Sequence, residues 1–122
     1  MPAQSERVLM ATKGSTLGVD LALMEVTGTL VAQGEIVEFR TTLQSFLNKH
    51  YKKLIIDFTG VNYVNSTALG VLVAGHTSYT NRRWEMRLCG VNNSLFAVFA
   101  VARLTGVFKF SETRSDALAN LQ

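Results

Sequence analysis

The sequence predicts an α/β fold whose mixed, mostly parallel β-sheet carries an N-terminal antiparallel hairpin and about four helices. Two strand patterns stand next to each other at the start of the chain. After residue 28, strand patterns alternate with helical ones. Such alternation requires crossover connections and hence parallel strands, whereas two adjacent strands joined by a turn pair antiparallel. With 48% apolar residues, the chain can bury one core.

The hairpin is predicted from residues 8–12 and 19–27, which have strand composition. Residues 13–16 read Lys-Gly-Ser-Thr and have turn chemistry. A loop follows at residues 28–34. Residues 35–50 then place apolar side chains at helical spacing, which predicts the first helix. Residues 53–58 are short and apolar, as expected of a central strand.

The second helix is predicted to begin near Ser66, with an apolar stripe at three- and four-residue spacing. The stripe consists of Leu69, Leu72, Val73, His76 and Tyr79. Residues 84–89 form the next predicted strand. A third helix begins after Asn92 or Asn93 and ends at Gly106. Residues 107–110 form a last strand, and a final helix turns Ala117, Leu118 and Leu121 inward.

Length and composition predict one domain over residues 1–122, with residues 1–6 as a flexible N-terminus. No apolar run is long enough to cross a bilayer, so we expect a cytoplasmic protein with no membrane partner. The net charge of +3 comes from basic residues near predicted helix ends, without a basic stripe or a recognised module for nucleic acid. The single cysteine, Cys89, is interpreted as a small buried hydrophobe.

Catalytic chemistry finds no support in the residue spacing. Ser66 and His76 would lie on one helix, about 15 Å apart along its axis, too far to hydrogen-bond. The histidines have no companions at metal-ligand spacing, and no glycine-rich phosphate cradle precedes a Lys-Ser or Lys-Thr pair. We therefore predict no enzymatic activity, no metal and no cofactor.

The most informative segment is the strand, turn and helix start at residues 54–70. Residues 57–61 read Asp-Phe-Thr-Gly-Val and residues 66–70 read Ser-Thr-Ala-Leu-Gly. A helix N-terminus presents free N–H groups and the positive end of the helix dipole, which favour an anion. Ser66 at this place is either a helix cap with Asn65 or a place for a phosphate.

This segment resembles the signature of the STAS domain, found in sulphate transporters and anti-sigma-factor antagonists. The family pattern is an apolar strand ending Asp-Leu/Phe-Ser/Thr-Gly-Val, then Asp-Ser-Ser/Thr-Gly-Leu-Gly. Asn65 stands here for the second aspartate and Ala68 for the glycine. Residues 104–109, Leu-Thr-Gly-Val-Phe-Lys, are similar to the family's ending of the third helix. The resemblance extends over nearly the whole element order.

The resemblance implies an anti-sigma-factor antagonist that works by partner switching. In such proteins a serine at the Ser66 position is phosphorylated by a serine-kinase anti-sigma factor. The unmodified antagonist binds this kinase, the phosphorylated form is released, and a PP2C-type phosphatase restores it. Ser66 is then the phospho-acceptor and Thr67 a weaker second one. Asp57, Asn65, Ala68 and Gly70 would surround the phosphorylation site.

Two departures from the family pattern bear on this mechanism. Asn65 and Val31 both stand where the family commonly has an acidic residue. If those carboxylates position the serine or contact the kinase, their loss slows phosphorylation. Loss of a neighbouring negative charge also makes a phosphate easier to accommodate. The residues leave both interpretations open.

Two surfaces are predicted to bind partners. The first combines Asn62 with small residues of the second helix, Ala68, Val71, Gly75 and Ser78, which another chain could approach closely. The second lies on the third helix, which is apolar on every side, so that Phe96 or Phe99 contributes to an exposed patch. That patch suits a partner or a homodimer, unless both phenylalanines pack beneath the last strand and helix.

Two further hypotheses remain beside the antagonist. The chain could be a constitutive, non-phosphorylated STAS subunit of a signalling scaffold or a lipid-transport complex, with Ser66 as a cap; the altered Asn65 and Val31 favour this view. It could also be a sensor that binds a nucleotide or another anion at Ser66, although no clustered arginines lie nearby in the sequence.

Overall fold

The computed structural model describes residues 11–121, and its strands cross the sheet in the order in which they occur in the chain. The strands are β1 (Ala11–Thr16), β2 (Leu21–Thr27), β3 (Lys53–Asp57), β4 (Glu85–Cys89) and β5 (Lys109–Ser111). The helices are α1 (Gln33–Asn48), α2 (Ser66–Asn81), α3 (Asn93–Val101) and α4 (Arg114–Leu121). β1 pairs antiparallel with β2, and all later pairs are parallel. The predicted fold class is confirmed.

Side chains that alternate along the strands build two apolar layers, one on each face of the sheet. Leu54 and Ile56 of β3 point into the larger layer, where α1, α2 and α3 pack. Ile55 points to the other face, where it meets Cys89 of β4 and Ala117 of α4. Because the central strands are covered on both faces, they read as continuous apolar runs rather than alternating ones.

The predicted hairpin turn is wrong by about one strand length. Residues 13–16 belong to β1, and the turn lies at residues 17–20. Residues 8–10 of the predicted first strand lie outside the described part of the chain, as do residues 1–6. Gly14 looked like a turn residue, but it serves packing: a Cβ at this position would lie 2.9 Å from Cζ of Phe46. A strand glycine beneath a neighbouring side chain is a known alternative to a turn.

The third helix ends at Val101, not at Gly106 as predicted. Arg103 takes the left-handed conformation, with φ of 61°, and stops the helix. Its N–H bonds to the Ala100 carbonyl while Leu104 bonds back to Phe99, the two contacts of a Schellman motif. Since glycine is the usual residue at such a stop, the sequence pointed to Gly106 instead.

The two longer helices end in the same way. His50 after α1 and Arg83 after α2 have φ of 63° and 62°. The following residues, Tyr51 and Trp84, donate their N–H groups back into the last helical turn. All three helices thus end with a basic or imidazole side chain in a backbone conformation that favours glycine.

Within residues 11–121, none of the helices is both long enough and apolar enough to cross a membrane.

Candidate functional site

A turn after β3 brings the chain to the beginning of α2. Phe58 continues the strand pairing by donating its N–H to the Cys89 carbonyl at 2.9 Å. The chain then reverses: Val61 N–H bonds to the Phe58 carbonyl at 2.8 Å, and Gly60 has a φ of +87°. A left-handed residue is needed there, which explains the glycine. The turn sets the start of α2 at the carboxyl edge of the parallel strands.

Asn65 caps α2. Its Oδ1 accepts the N–H of Ala68 at 2.9 Å, and its carbonyl accepts the N–H of Leu69 at 3.0 Å. Ser66 is therefore the first helical residue rather than the cap. Its side chain is exposed, and within residues 11–121 its hydroxyl has no hydrogen-bond partner. The hydroxyl is consequently not required for the helix to begin.

The segment that follows β2 lies directly against the Asn65 end of the turn. Leu30 forms a parallel bridge with Val64. The Asn65 N–H bonds to the Leu30 carbonyl at 3.0 Å, and Asn65 Nδ2 donates to the Val31 carbonyl at 3.1 Å. The two positions where an acidic residue was expected are thus neighbours, and both carry neutral side chains.

A second asparagine closes the site from the α3 side. Asn92 caps α3 by accepting the Leu95 N–H at 2.9 Å. Its Nδ2 donates to Oδ1 of Asn62 at 2.9 Å and to the Val61 carbonyl at 3.2 Å. Asn62, predicted to contact a partner, therefore also holds the turn in place and remains exposed.

Ser66 lies on the rim of an apolar groove of about 420 Å³ between the start of α2 and α3. Besides Ser66, the groove is lined by Tyr63, Val64, Leu69, Ala97, Val98, Val101 and Ala102. None of these residues is charged. Val101 is 86% exposed, so much of this apolar surface is open to solvent. The arrangement suits the side chains of another protein better than a charged ligand.

Thr67 opens onto a different groove, of about 370 Å³, between α1 and α2. Arg40 of α1 lines this groove together with Gly70 and Val71. Neighbouring helical residues point about 100° apart, which explains why two adjacent hydroxyls meet different surroundings. Of the two, Ser66 is the one beside the apolar groove.

The chain matches a known family over most of its length. The family model of the STAS domain covers residues 13–117. The chain belongs to the STAS domain family. The resemblance inferred from the residue motifs is thereby confirmed.

Two relatives of the STAS chain are the anti-sigma-B factor antagonists of Listeria monocytogenes serovar 1/2a and Listeria innocua serovar 6a. Each is 33% identical over 67 residues, which cover 55% of this chain and 59% of the relative. The match therefore spans less than two thirds of the relatives' own length.

Solved structures share the fold of the STAS chain at low identity. An anti-sigma factor antagonist from Mycobacterium paratuberculosis superposes with a TM-score of 0.77 at 16% identity, covering 92% of this chain and 93% of that one. The phosphorylated form of the Bacillus cell fate determinant SpoIIAA gives 0.73 at 12% identity, covering 92% and 100%. At these identities the likeness establishes the fold alone.

The small-residue face of α2 in this STAS domain is not a free surface, contrary to the sequence-based interpretation. Gly75 is buried against α1, and a Cβ there would lie 2.7 Å from both Cδ atoms of Leu43. Ala68 is also buried in the core. The close approach that small residues allow is made by the domain's own first helix. Val71 and Ser78 remain at the groove between α1 and α2, partly buried.

The two phenylalanines of α3 have different places. Phe99 is fully buried and packs between Phe58 and Phe108, so it is not available to a partner. Phe96 is 41% exposed and rests edge-on against Phe110, with ring centroids 5.4 Å apart. The expected exposed apolar patch on α3 therefore comes from Phe96.

Asp57 lies on the other face of the sheet from α2, because it shares the orientation of Ile55 rather than that of Ile56. It accepts hydrogen bonds from the Thr59 N–H at 2.9 Å and hydroxyl at 2.6 Å, and pairs with Arg114 Nη2 at 2.8 Å. Arg114 also pairs with Glu25 at 2.6 Å. Asp57 therefore orders the turn and α4 rather than surrounding Ser66.

The pKa of the Asp57 carboxyl is set by opposing effects. Burial alone would raise it, but the hydrogen bonds from Thr59 and the charge and hydrogen bonds of Arg114 hold the pKa below its ordinary value. Arg114 was missed as a partner by sequence reasoning, since its contact is 57 positions away in the chain. No local pattern announces such a pair.

The remaining reactive side chains give no sign of chemistry. Cys89 is buried as predicted, and burial raises the pKa of its thiol to about 12. Burial, followed by the nearby charge of Lys109, lowers the pKa of His76, whose ring packs edge-on against Phe108. Among residues 11–121, no three His, Cys, Asp or Glu side chains are grouped closely enough to hold a metal ion.

Proposed function

We propose that this STAS domain is an anti-sigma-factor antagonist that is controlled by phosphorylation of Ser66. The unphosphorylated protein binds a serine-kinase anti-sigma factor in the cytoplasm, phosphorylation releases it, and a PP2C-type phosphatase resets it. The protein has no catalytic activity of its own in this scheme. The observation that carries the proposal is the exposed Ser66 hydroxyl, which is free of the capping role and lies beside an apolar groove.

The relatives support the antagonist role. The two Listeria proteins named anti-sigma-B factor antagonists match this chain at 33% identity. A phosphorylated member of the same fold exists in the Bacillus protein SpoIIAA. These likenesses suggest the class of partner, while the phospho-acceptor is inferred from the geometry of α2.

The electrostatics of the α2 start would tolerate a phosphate at Ser66. The first turn of α2 contains no acidic residue, and its cap is the neutral Asn65. The N–H groups of Ser66 and Thr67 have no acceptor within the helix, and the dipole of α2 presents positive potential there. A phosphate of about −1.5 to −2 charge therefore meets no carboxylate in this turn.

The same phosphate would oppose docking of a partner. The groove beside Ser66 is apolar, so a partner that covers it also covers the rim. A dianion enclosed in such an interface loses its water without gaining a counter-charge, at a cost of several kcal/mol. One modification thus changes binding without requiring the domain to refold.

Phosphate occupancy tests the proposal directly. The protein is isolated from its native cells under growth and under stress and digested with trypsin. The peptide of residues 54–82 is then fragmented, since it holds several hydroxyls besides Ser66. We expect one phosphate on Ser66 that varies with condition. It should vanish in Ser66→Ala and persist in Thr67→Ala. A phosphate that stays in Ser66→Ala would assign the switch elsewhere.

Binding provides the second test. Each serine-kinase anti-sigma factor of the native cell is purified and titrated with the native protein, Ser66→Ala and Ser66→Glu. We expect Ser66→Ala to bind at least one of them as the native protein does and Ser66→Glu to bind it at least tenfold more weakly. Thr67→Glu serves as the matched control because Thr67 faces the other groove. Equal binding of Ser66→Ala and Ser66→Glu would contradict the switch.

A constitutive STAS subunit is the alternative. The uncharged, strongly exposed groove favours it, because permanent interfaces are more apolar than transient ones. The neutral Asn65 and Val31 agree with this view. In that case no phosphate is found under any condition, and the protein co-purifies with one partner in fixed stoichiometry. Size-exclusion chromatography over a range of concentrations separates this outcome from a homodimer formed through Phe96.

A further inference from the structure

The amino edge of the sheet, opposite the Ser66 end, collects most of the exposed cations of the described chain. Parallel strands begin at the same edge, and here Leu21, Lys53 and Glu85 are aligned by register. The C-terminal ends of α1 and α2 return to this edge. The cations gathered there, hereafter the basic edge, are Lys49, Lys52, Lys53, Arg82, Arg83 and Lys109. All are exposed except Lys53, which is half-buried.

Few carboxylates of residues 11–121 balance these cations. Glu85 pairs with Lys109 at 2.8 Å and approaches Arg87 at 3.8 Å. Asp20 lies at the beginning of β2, where its carbonyl accepts the Lys53 N–H at 3.0 Å. Six lysines and arginines therefore share this edge with two acidic side chains, and the edge carries positive potential.

The hairpin turn places an apolar tip beside the basic edge. The turn at residues 17–20 joins β1 to the amino end of β2 and is closed by the Leu17 N–H on the Leu21 carbonyl at 2.8 Å. Val19 is 100% exposed and Leu17 is 43% exposed. We name these two residues the apolar tip. A fully exposed valine at the end of a hairpin gains nothing from the fold itself.

We infer that the basic edge and the apolar tip form a peripheral binding site for a bilayer containing anionic phospholipid. Lysines and arginines attract such a surface, and shallow insertion of apolar side chains adds to the binding. The composition pointed to no membrane partner, and the described helices cannot span one. The present contact would be a surface contact, formed only when the turn and the helix ends come together.

Helix dipoles and nucleic acid each account for less of the basic edge. Cations at helix C-terminal ends complement the dipole, but this does not explain the exposed Leu17 and Val19 beside them. A single-stranded nucleic acid would need aromatic faces for stacking. Trp84 is not free for this, since it packs edge-on against Tyr79 and lies between His50 and Arg82.

The membrane site and the Ser66 site are compatible, because α2 begins at one edge of the sheet and ends at the other. Its 16 residues separate the two ends by about 24 Å. A bilayer at the basic edge would therefore leave Ser66 accessible. The inference does not depend on whether Ser66 is phosphorylated.

The test is co-sedimentation of the protein with vesicles of phosphatidylglycerol and phosphatidylcholine, compared with phosphatidylcholine alone. We expect binding to the anionic vesicles only, and a steep loss between low and physiological ionic strength. The double substitution Lys49→Glu/Lys52→Glu should weaken binding more than tenfold, as should Leu17→Ser/Val19→Ser. The matched controls Arg40→Glu and Val37→Ser, exposed on α1 away from this edge, should bind like the native protein.

A fluorescent label locates the tip independently. Because Cys89 is buried, a Val19→Cys variant accepts a thiol-reactive environment-sensitive dye at residue 19 and not at residue 89. Its emission should shift to the blue when anionic vesicles are added, whereas a label on Val37→Cys should not respond. Absence of binding to anionic vesicles at low salt would overturn the inference. So would binding that ignores the tip substitutions and is matched by the soluble polyanion heparin, which would indicate a general polyanion surface.

Discussion

The side-chain amide of Asn65 joins two segments of the site: its Nδ2 donates to the Val31 carbonyl at 3.1 Å while its Oδ1 caps α2. An aspartate here could keep the cap but could not donate to Val31. The residue that departs from the family pattern thus makes a contact that the family's residue cannot make in its ionised form.

Substitution of Asn65 separates the two contacts. Asn65→Ala loses both the cap and the bond to Val31 and should lower the free energy of unfolding by about 2 kcal/mol. Asn65→Asp keeps the cap and gains from the helix dipole, so it should cost less than about 1 kcal/mol. Urea denaturation at pH 7 measures both. Equal losses in the two variants would show that the cap contributes little.

Two glycines of α2 should respond oppositely to alanine. Gly75→Ala places a methyl group 2.7 Å from the Cδ atoms of buried Leu43, so strain should outweigh the better helix propensity and cost about 1 kcal/mol. Gly70→Ala meets nothing within 4 Å and should stabilise by about 0.5–1 kcal/mol. Thermal and urea unfolding provide the comparison. If Gly75→Ala stabilised as much as Gly70→Ala, the close contact with α1 would be refuted.

The pair of Asp57 and Arg114 should make stability depend on pH in the acid range. The pKa of Asp57 is held below its ordinary value of 3.8 in the folded protein, so its contribution is present above that pH. It is lost as the pH falls through the lower, folded pKa. Asp57→Asn should therefore destabilise by about 2 kcal/mol at pH 7, since Arg114 remains partly solvated.

The difference between the native protein and Asp57→Asn should shrink as the pH falls below 3.8. Urea unfolding at a series of pH values records it, with Asp116→Asn on exposed α4 surface as the control. A difference that stayed constant from neutral to strongly acidic pH would mean that the carboxylate charge of Asp57 contributes no stability.

The thiol of Cys89 should be inert while the domain is folded. It is fully buried, and its pKa is raised to about 12, so little thiolate forms between pH 7 and pH 9. A chromogenic disulfide reagent should react only at the rate of unfolding, and fully in denaturant. Rapid reaction in buffer would show that α4 opens readily from the sheet.

The sequence predicted the order of elements because each strand and helix has a local pattern. Features that depend on a distant neighbour escaped it. Gly14 resembled a turn residue until Phe46 was seen above it. The small residues of α2 suggested an absent partner, whereas α1 provides the close contact. Arg103 could not be recognised as a helix stop because glycine normally has that role.

The candidate site followed the same division. Ser66 was identified by its local motif, and the structure adds its groove and the separate cap at Asn65. Asp57 was placed near Ser66 because it is near in sequence, but strand alternation turns it to the opposite face. The partner of Asp57 on α4 and the apolar tip at Val19 required the assembled sheet to be seen.

The agreement between strand order and chain order has a consequence for how this protein is made. Each strand pairs with the one synthesised just before it, so the growing chain never has to leave a gap for a later strand. We expect the sheet to assemble in the direction of translation, beginning with the β1–β2 hairpin. Until β5 and α4 emerge from the ribosome, β4 is an open edge, and the nascent chain is then most exposed to aggregation.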